Sequence, residues 1–253
     1  MEEKLEFAQG LARKAGQIIL DYFKADQKIS YKTDNTPVTV ADKLINSHVI
    51  ERIAQTYPDH GVVGEEESTE RTDQENVWIC DPIDGTKAFT WGLPTAMFSL
   101  ALVTEGRPVL GAAYDPFLDR MFTGIHGQGA FCNGEQLSVS KDNLQTGIMA
   151  ATAEIEKFRT ERYKYILDRG IRLAVFSGFV YKMCLVAEGR LVGHTEDNVG
   201  RHDIAAMDVI IQEAGGRVTD FADKPLDYSR PFKGTVVSNG VVHDELLKIA
   251  QIK

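Results

Sequence analysis

Apolar residues recur at three- and four-residue steps from Leu5 through Ala8, Leu11, Ala12, Ala15, Ile18 and Ile19 to Tyr22 and Phe23. That spacing predicts an amphipathic helix over 3–24. Residues 25–38 are polar and end in Thr36-Pro37, where a loop or hairpin is expected. A second helix starts near Thr39 and buries Leu44, Ile45 and Val49. A short strand over 60–64 then runs into Glu65, Glu66 and Glu67. Val77-Trp78-Ile79-Cys80 is a compact apolar run suited to a strand covered on both faces. Pro82 is expected to stop that strand, because proline fixes its own φ and has no donor N–H. Strands over 97–103 and 109–114, joined by a turn at 105–107, continue into 119–125 and 129–131 as an antiparallel meander. Asn133-Gly134 adds a hairpin signal.

From about residue 145 strands and helices alternate. Strands are expected over 148–151, 171–176, 190–194, 217–220 and 235–238. Helices are expected over 155–168, 179–187, 204–214 and 242–250, the third stopped by Gly215-Gly216. The fold class is mixed α/β, with an α+β lobe over 1–144 and an α/β lobe over 145–253. No Pro/Gly-rich linker separates them, so the lobes are expected to form one catalytic unit.

Composition narrows the function. Of 253 residues, 43% are hydrophobic and 26% charged, enough apolar material for one large core or two fused lobes. No run approaches the roughly 18 apolar residues of a membrane span, and residues 1–24 are too acidic for a signal peptide. A net charge of -9 without a basic block argues against nucleic-acid partners. The acidic surplus itself has two readings, solubility or carboxylates gathered for a cation. Cys80, Cys132 and Cys184 show no zinc-type spacing, so reduced thiols and a cytoplasmic location are expected.

The densest chemistry lies in Trp78-Ile79-Cys80-Asp81-Pro82-Ile83-Asp84-Gly85-Thr86. Two aspartates leave the carboxyl end of a buried strand, a favoured ligand position in α/β sheets. Gly85 and Thr86 open a short helix whose amides can hold phosphate. Hard oxygen ligands beside an anion cradle suit Mg²⁺. Read alone, the same residues also describe an Asp-Pro turn followed by an Asp-Gly turn.

DPIDGT resembles the signature of the inositol monophosphatase family, within the Mg²⁺-dependent, lithium-sensitive phosphatases. Further elements follow in family order. Val38-Thr39-Val40-Ala41-Asp42 is similar to VTxxD, and Gly64-Glu65-Glu66-Glu67-Ser68 to GEE(S). Residues 127–134 match a GxGAFxNG hairpin. His202-Asp203-Ile204-Ala205-Ala206 with Glu213-Ala214-Gly215-Gly216 resembles WDxAA…EAGG.

The resemblance implies a layered αβαβα sandwich, two or three Mg²⁺ ions, and hydrolysis of a small phosphate monoester. Inositol 1-phosphate is the expected substrate. The alternatives are histidinol phosphate, fructose 1,6-bisphosphate or a 3′,5′-bisphosphate nucleotide, and a non-catalytic regulator of the same fold is the reading from another class. Glu65, Asp81 and the carbonyl of Ile83 would hold one ion; Asp81, Asp84 and Asp203 a second; Glu65 also a third. Asp42 and Thr86 would orient and deprotonate the attacking water, with Glu65 assisting. Asp84, Gly85, Thr86, Lys182, Glu196 and Asp203 would face the substrate. A homodimer, built around 150–180, is also implied.

Several of these residues carry a plainer reading. Thr39-x-x-Asp42 has the shape of a helix capping box, and Asp203 that of an N-cap. Lys182 could contact phosphate or snorkel from a helix, and Glu196 could be an ordinary charged loop residue. His202 stands where the family has Trp, Arg201 precedes it, and Phe179 replaces a small residue. Arg201 and His202 are expected at the pocket rim, and Phe179 is expected to narrow the pocket. His48, His60, His126, His194 and His243 form no ligand spacing.

Overall fold

A computed structural model of the chain describes residues 1–23, 29–31, 37–69, 74–152 and 160–252. Its first part contains α1 (Glu2–Tyr22), β1 (Ser30–Tyr31), β2 (Pro37–Val38), α2 (Val40–Thr56), β3 (Gly61–Gly64), β4 (Asn76–Asp84) and α3 (Thr86–Thr90). A meander follows: β5 (Met97–Thr104), β6 (Arg107–Asp115), β7 (Arg120–Ile125), β8 (Gly129–Cys132) and β9 (Glu135–Gln136). The second part contains β10 (Ile148–Ala151), α4 (Thr160–Asp168), β11 (Arg172–Val175), α5 (Phe179–Ala187) and β12 (Gly193–Glu196). It ends with α6 (Arg201–Glu213), β13 (Arg217–Thr219), β14 (Thr235–Ser238) and α7 (His243–Ala250).

Alternation along β4 explains the layering. Trp78 and Cys80 face a core shared with α1 and α2, through Leu11, Ile19, Ile45 and Ile53. Val77 and Ile79 face the opposite core, where Met183 of α5 and Ile204, Met207 and Ile211 of α6 pack. Both faces are buried, so the strand has no polar side and reads as a continuous apolar run. The seven-stranded sheet runs β3-β4-β5-β6-β7-β8-β9, with only the β3–β4 pair parallel among its pairings. A five-stranded sheet, β11-β10-β12-β14-β13, covers the far side of α5 and α6. Its outer face meets Ile166 of α4 and Leu246 and Ile249 of α7. The layers are therefore αβαβα, as the resemblance implied.

Two pieces of local chemistry join the layers. Gly111 of β6 leaves no room for a side chain, since a Cβ there would collide with the carbonyl of Ala206, so α6 lies tight on the sheet. Glu213 at the end of α6 accepts hydrogen bonds from the amides of Gly127 (2.7 Å) and Gly129 (2.8 Å). That contact joins the GxGAF hairpin to the EAGG element.

The structure corrects four expectations, one of them Leu44, which is exposed on α2 rather than buried. β4 does not end at Pro82: ladder pairing skips Pro82 and Ile83 and resumes at Asp84 opposite Met97, so the proline occupies a bulge where no donor is needed. The strand expected over 190–194 lies at Gly193–Glu196, because a turn at Gly189 (φ +73°) delays its start. α6 begins at Arg201 rather than Ile204. The hairpin expected over 25–38 appears as β1 paired antiparallel with β2, while 25–28 and 32–36 lie outside the described residues, as do 155–159 of the expected helix 155–168. Among the described residues, no helix is long and apolar enough to cross a membrane.

Candidate active site

Strand pairing assembles the acidic groups. Gly64 pairs in parallel with Cys80, and the amide of Glu65 donates to the carbonyl of Cys80 (3.2 Å), which sets Glu65 beside Asp81. The bulge at Pro82 then redirects the chain so that Asp84 projects toward α5. There its carboxylate accepts from the amides of Phe179 (3.0 Å) and Val180 (2.9 Å), the first two of that helix. Asp203, in the first turn of α6, accepts from the amide of Gly200. Its carboxylate, with those of Asp81 and Asp84, supplies oxygens that lie within 4.8 Å of one another.

Asp42 occupies the matching position in α2. Its Oδ2 accepts from the Thr39 amide (2.7 Å) and hydroxyl (2.5 Å), a capping box. Its Oδ1 lies 3.4 Å from Thr86 Oγ1, which also lies 3.0 Å from the Ile83 carbonyl. The capping role and the position beside Thr86 therefore coexist.

A cavity of about 170 Å³ opens over these groups, lined by Glu65, Asp84, Gly85, Thr86, Lys182, Glu196 and Asp203 among others. Asp81 lies beneath it, buried. Phe179 lines it as expected, but Arg201 and His202 are not among its lining residues. Arg201 turns instead to the carbonyl of Tyr228 (3.1 Å), and His202 Nε2 lies 3.7 Å from Asp203 Oδ1. Glu196 is buried within β12 rather than in a loop, and Lys182 is buried on α5 rather than snorkelling.

The floor of the cavity is electrostatically strained. Burial pushes the Asp81 carboxyl well above the usual range, and Glu65, Asp84 and Asp203 add to the rise. Asp84 is raised to about 7 by burial and then Asp203, against the opposing pull of Lys182 and the two α5 amides. Asp42 rises to about 6, again chiefly through burial, despite its bonds to Thr39. Asp81 Oδ1 is buried and accepts no hydrogen bond. An orphaned carboxylate oxygen among like charges is the environment a hard divalent cation relieves, so the residues fit Mg²⁺.

Sequence reasoning passed over Pro37, Lys87, Ser177 and Gly178 in the cavity lining. Gly178 had a readable signal, a glycine just before a helix. At φ +95° it stands where a Cβ would lie 2.8 Å from the Thr95 carbonyl and 3.5 Å from Asp84 Oδ2.

Buried acids at a strand's end, an orphaned carboxylate oxygen and a small polar cavity fit a metal-dependent phosphoester hydrolase on a layered α/β scaffold. The chain belongs to the inositol monophosphatase family, whose profile matches residues 1–253, and it is a phosphoric monoester hydrolase of that metal-dependent group. A relative from Thermotoga maritima, "Fructose-1,6-bisphosphatase/inositol-1-monophosphatase", is 31% identical over 98% of this chain and 95% of its own. The "Histidinol-phosphatase" of Mycobacterium tuberculosis is 34% identical over 97% and 96%. Among solved structures, a Thermotoga maritima IMPase superposes with a TM-score of 0.89 at 30% identity, covering 98% and 96%.

Proposed function

We propose that the chain hydrolyses inositol 1-phosphate, or a closely similar small polyol phosphate, as a cytoplasmic homodimer using two or three Mg²⁺ ions. The observation that carries the substrate is Glu196, a buried carboxylate on the wall of the cavity that also holds Asp84, Thr86 and Asp203. A buried carboxylate there gains hydrogen bonds from substrate hydroxyls that water would otherwise supply.

Glu65, Asp81 and the Ile83 carbonyl would hold one ion, Asp81, Asp84 and Asp203 another, and Glu65 a third; Glu65 also assists the water. Bound Mg²⁺ supplies neutralisation of the ester's charge and a lower pKa for water in an in-line displacement. Gly85 and Thr86 would receive the phosphate oxygens at the start of α3. The Thr86 hydroxyl has one proton and two acceptors, Ile83 O and Asp42 Oδ1. Turned to Asp42, it donates there and leaves a lone pair for the proton of the attacking water. As Thr86 takes the water's proton, its own passes to Asp42, whose carboxyl burial raises to about 6.

The test is phosphate release, with and without Mg²⁺, from inositol 1-phosphate, histidinol phosphate, fructose 1,6-bisphosphate and adenosine 3′,5′-bisphosphate. Inositol 1-phosphate is expected to be turned over most efficiently. Efficient turnover of another ester with none of inositol 1-phosphate overturns the substrate.

A further inference from the structure

Behind the cavity wall lies a buried histidine that the proposed chemistry does not use. His194 is 1% exposed and touches three wall residues on two elements. Its ring meets Phe179 edge-on at 5.7 Å, its Nε2 lies 3.4 Å from Lys182 Nζ, and the same nitrogen lies 3.4 Å from Glu196 Oε2. Periodicity produces the cluster. Phe179 and Lys182 are three apart on α5, and His194 and Glu196 two apart on β12, so each pair shares a face.

The tautomer follows from the other ring nitrogen. His194 Nδ1 lies 3.0 Å from the Ala150 carbonyl, which can only accept, so Nδ1 carries the proton. Burial and then the Lys182 charge push the ring's pKa down, which keeps it neutral. Nε2 then offers a lone pair, and the Lys182 ammonium donates to it. Glu196 Oε2 faces the same lone pair, and two acceptors in contact need a donor between them; the ammonium has further protons to give. The neighbouring cation Arg162 is already engaged, with both terminal nitrogens on Asp197 (2.7 and 3.1 Å) and one on the Ala250 carbonyl (2.7 Å).

We propose that His194 is a positioning residue that locks Lys182 and Glu196 into a wall of zero net charge, selecting phosphate esters whose leaving group is neutral and hydroxyl-rich. A hydroxyl both donates and accepts, so a polyol satisfies the carboxylate and the ammonium together. A charged leaving group meets both signs, gains no net attraction from the wall and still loses its hydration, a cost that a neutral polyol largely escapes. The inference rests on the polyol-phosphate reading above and assigns its selectivity to a residue outside the cavity.

The experiment compares wild type, His194→Leu, His194→Asn and His194→Gln, each checked by thermal melting, on three esters: inositol 1-phosphate, histidinol phosphate and fructose 1,6-bisphosphate. Leu offers no acceptor and Asn is too short to span Ala150 and Lys182. Both are expected to raise the KM for inositol 1-phosphate about tenfold, with kcat little changed, and to narrow its advantage over the charged esters by a similar factor. Gln can donate to Ala150 and accept from Lys182, and is expected to stay within about threefold of wild type on that advantage. An equal loss on all three esters, carried by kcat, overturns the positioning role while leaving the polyol reading intact. A wild type that prefers a charged ester overturns the polyol reading and the neutral wall together.

Discussion

The floor and the far wall of one cavity, both built from buried ionisable side chains, balance charge differently. On the floor, Asp81, Asp84 and Asp203 crowd within 4.8 Å, and burial with mutual repulsion drives Asp81 and Asp84 upward. On the wall, Lys182 and Glu196, side chains of opposite formal charge, each lie 3.4 Å from one imidazole nitrogen of His194. The wall is complete within the chain. On the function proposed, cations from outside complete the floor, and that dependence is what lets it bind a dianionic ester. Burial alone thus does not mark a catalytic carboxylate; the sign of its neighbours does.

The comparison breaks most sharply at Asp84. Asp84→Asn is expected to lower Mg²⁺-dependent phosphate release by roughly a thousandfold, the scale of several kcal/mol of transition-state stabilisation; activity within tenfold of wild type would show that the floor does not act through its cations. Next in size, adding Mg²⁺ to chelated protein should raise the melting temperature. A hundredfold excess over Kd contributes about 2.7 kcal/mol, or roughly 5–10 °C for a chain of this size. An unchanged melt would mean the floor is balanced without metal.

Charge changes on the wall test its neutrality. Glu196→Gln leaves a cation and is expected to shift kcat/KM about tenfold toward fructose 1,6-bisphosphate, while Lys182→Met should shift it similarly toward histidinol phosphate. Matching shifts in one direction for both variants would contradict a balanced pair. The smallest effect lies outside both regions. His243, held by Thr219 and Ser238 and faced by Arg217, Asp223 and Asp244, has its pKa lowered to about 4, chiefly by burial and then by Arg217. The unfolded chain, with an ordinary histidine near 6.5, takes the proton first. Its contribution to stability is therefore full above pH 6.5 and lost as pH falls toward 4. His243→Gln should flatten that part of the melting profile by a few degrees, about 3 °C, without altering substrate preference.

The floor was legible partly from local pattern, at Asp81 and Asp84, and partly from the family resemblance, without which Asp42 and Asp203 read as plain helix caps. Asp81 and Asp84 end an apolar strand, and Asp42 and Asp203 each sit in the first turn of an amphipathic helix. What escaped was set by distant packing. The apolar pair Leu191-Val192 drew the expected strand forward, although both are buried before β12 begins. With that strand displaced by three residues, Glu196 read as a loop residue and its shared face with His194 was invisible. Arg201 and His202 were assigned to the rim by sequence proximity to Asp203, but Arg201 is drawn away by a carbonyl in a loop that the local pattern does not predict. Proline chemistry correctly located a break near Asp81, yet a bulge absorbed it and the sheet continued.

The bond between Asp84 and the opening amides of α5 bears on how such an enzyme diversifies. It is a seam between floor and wall made from main chain on the helix side, so it makes no demand on which side chains follow Gly178. Phe179, Lys182 and their neighbours can be exchanged without unpicking it. Selectivity can therefore be rewritten along one helix and one strand while the reacting centre keeps its alignment, with Gly178 as the position that tolerates no rewriting.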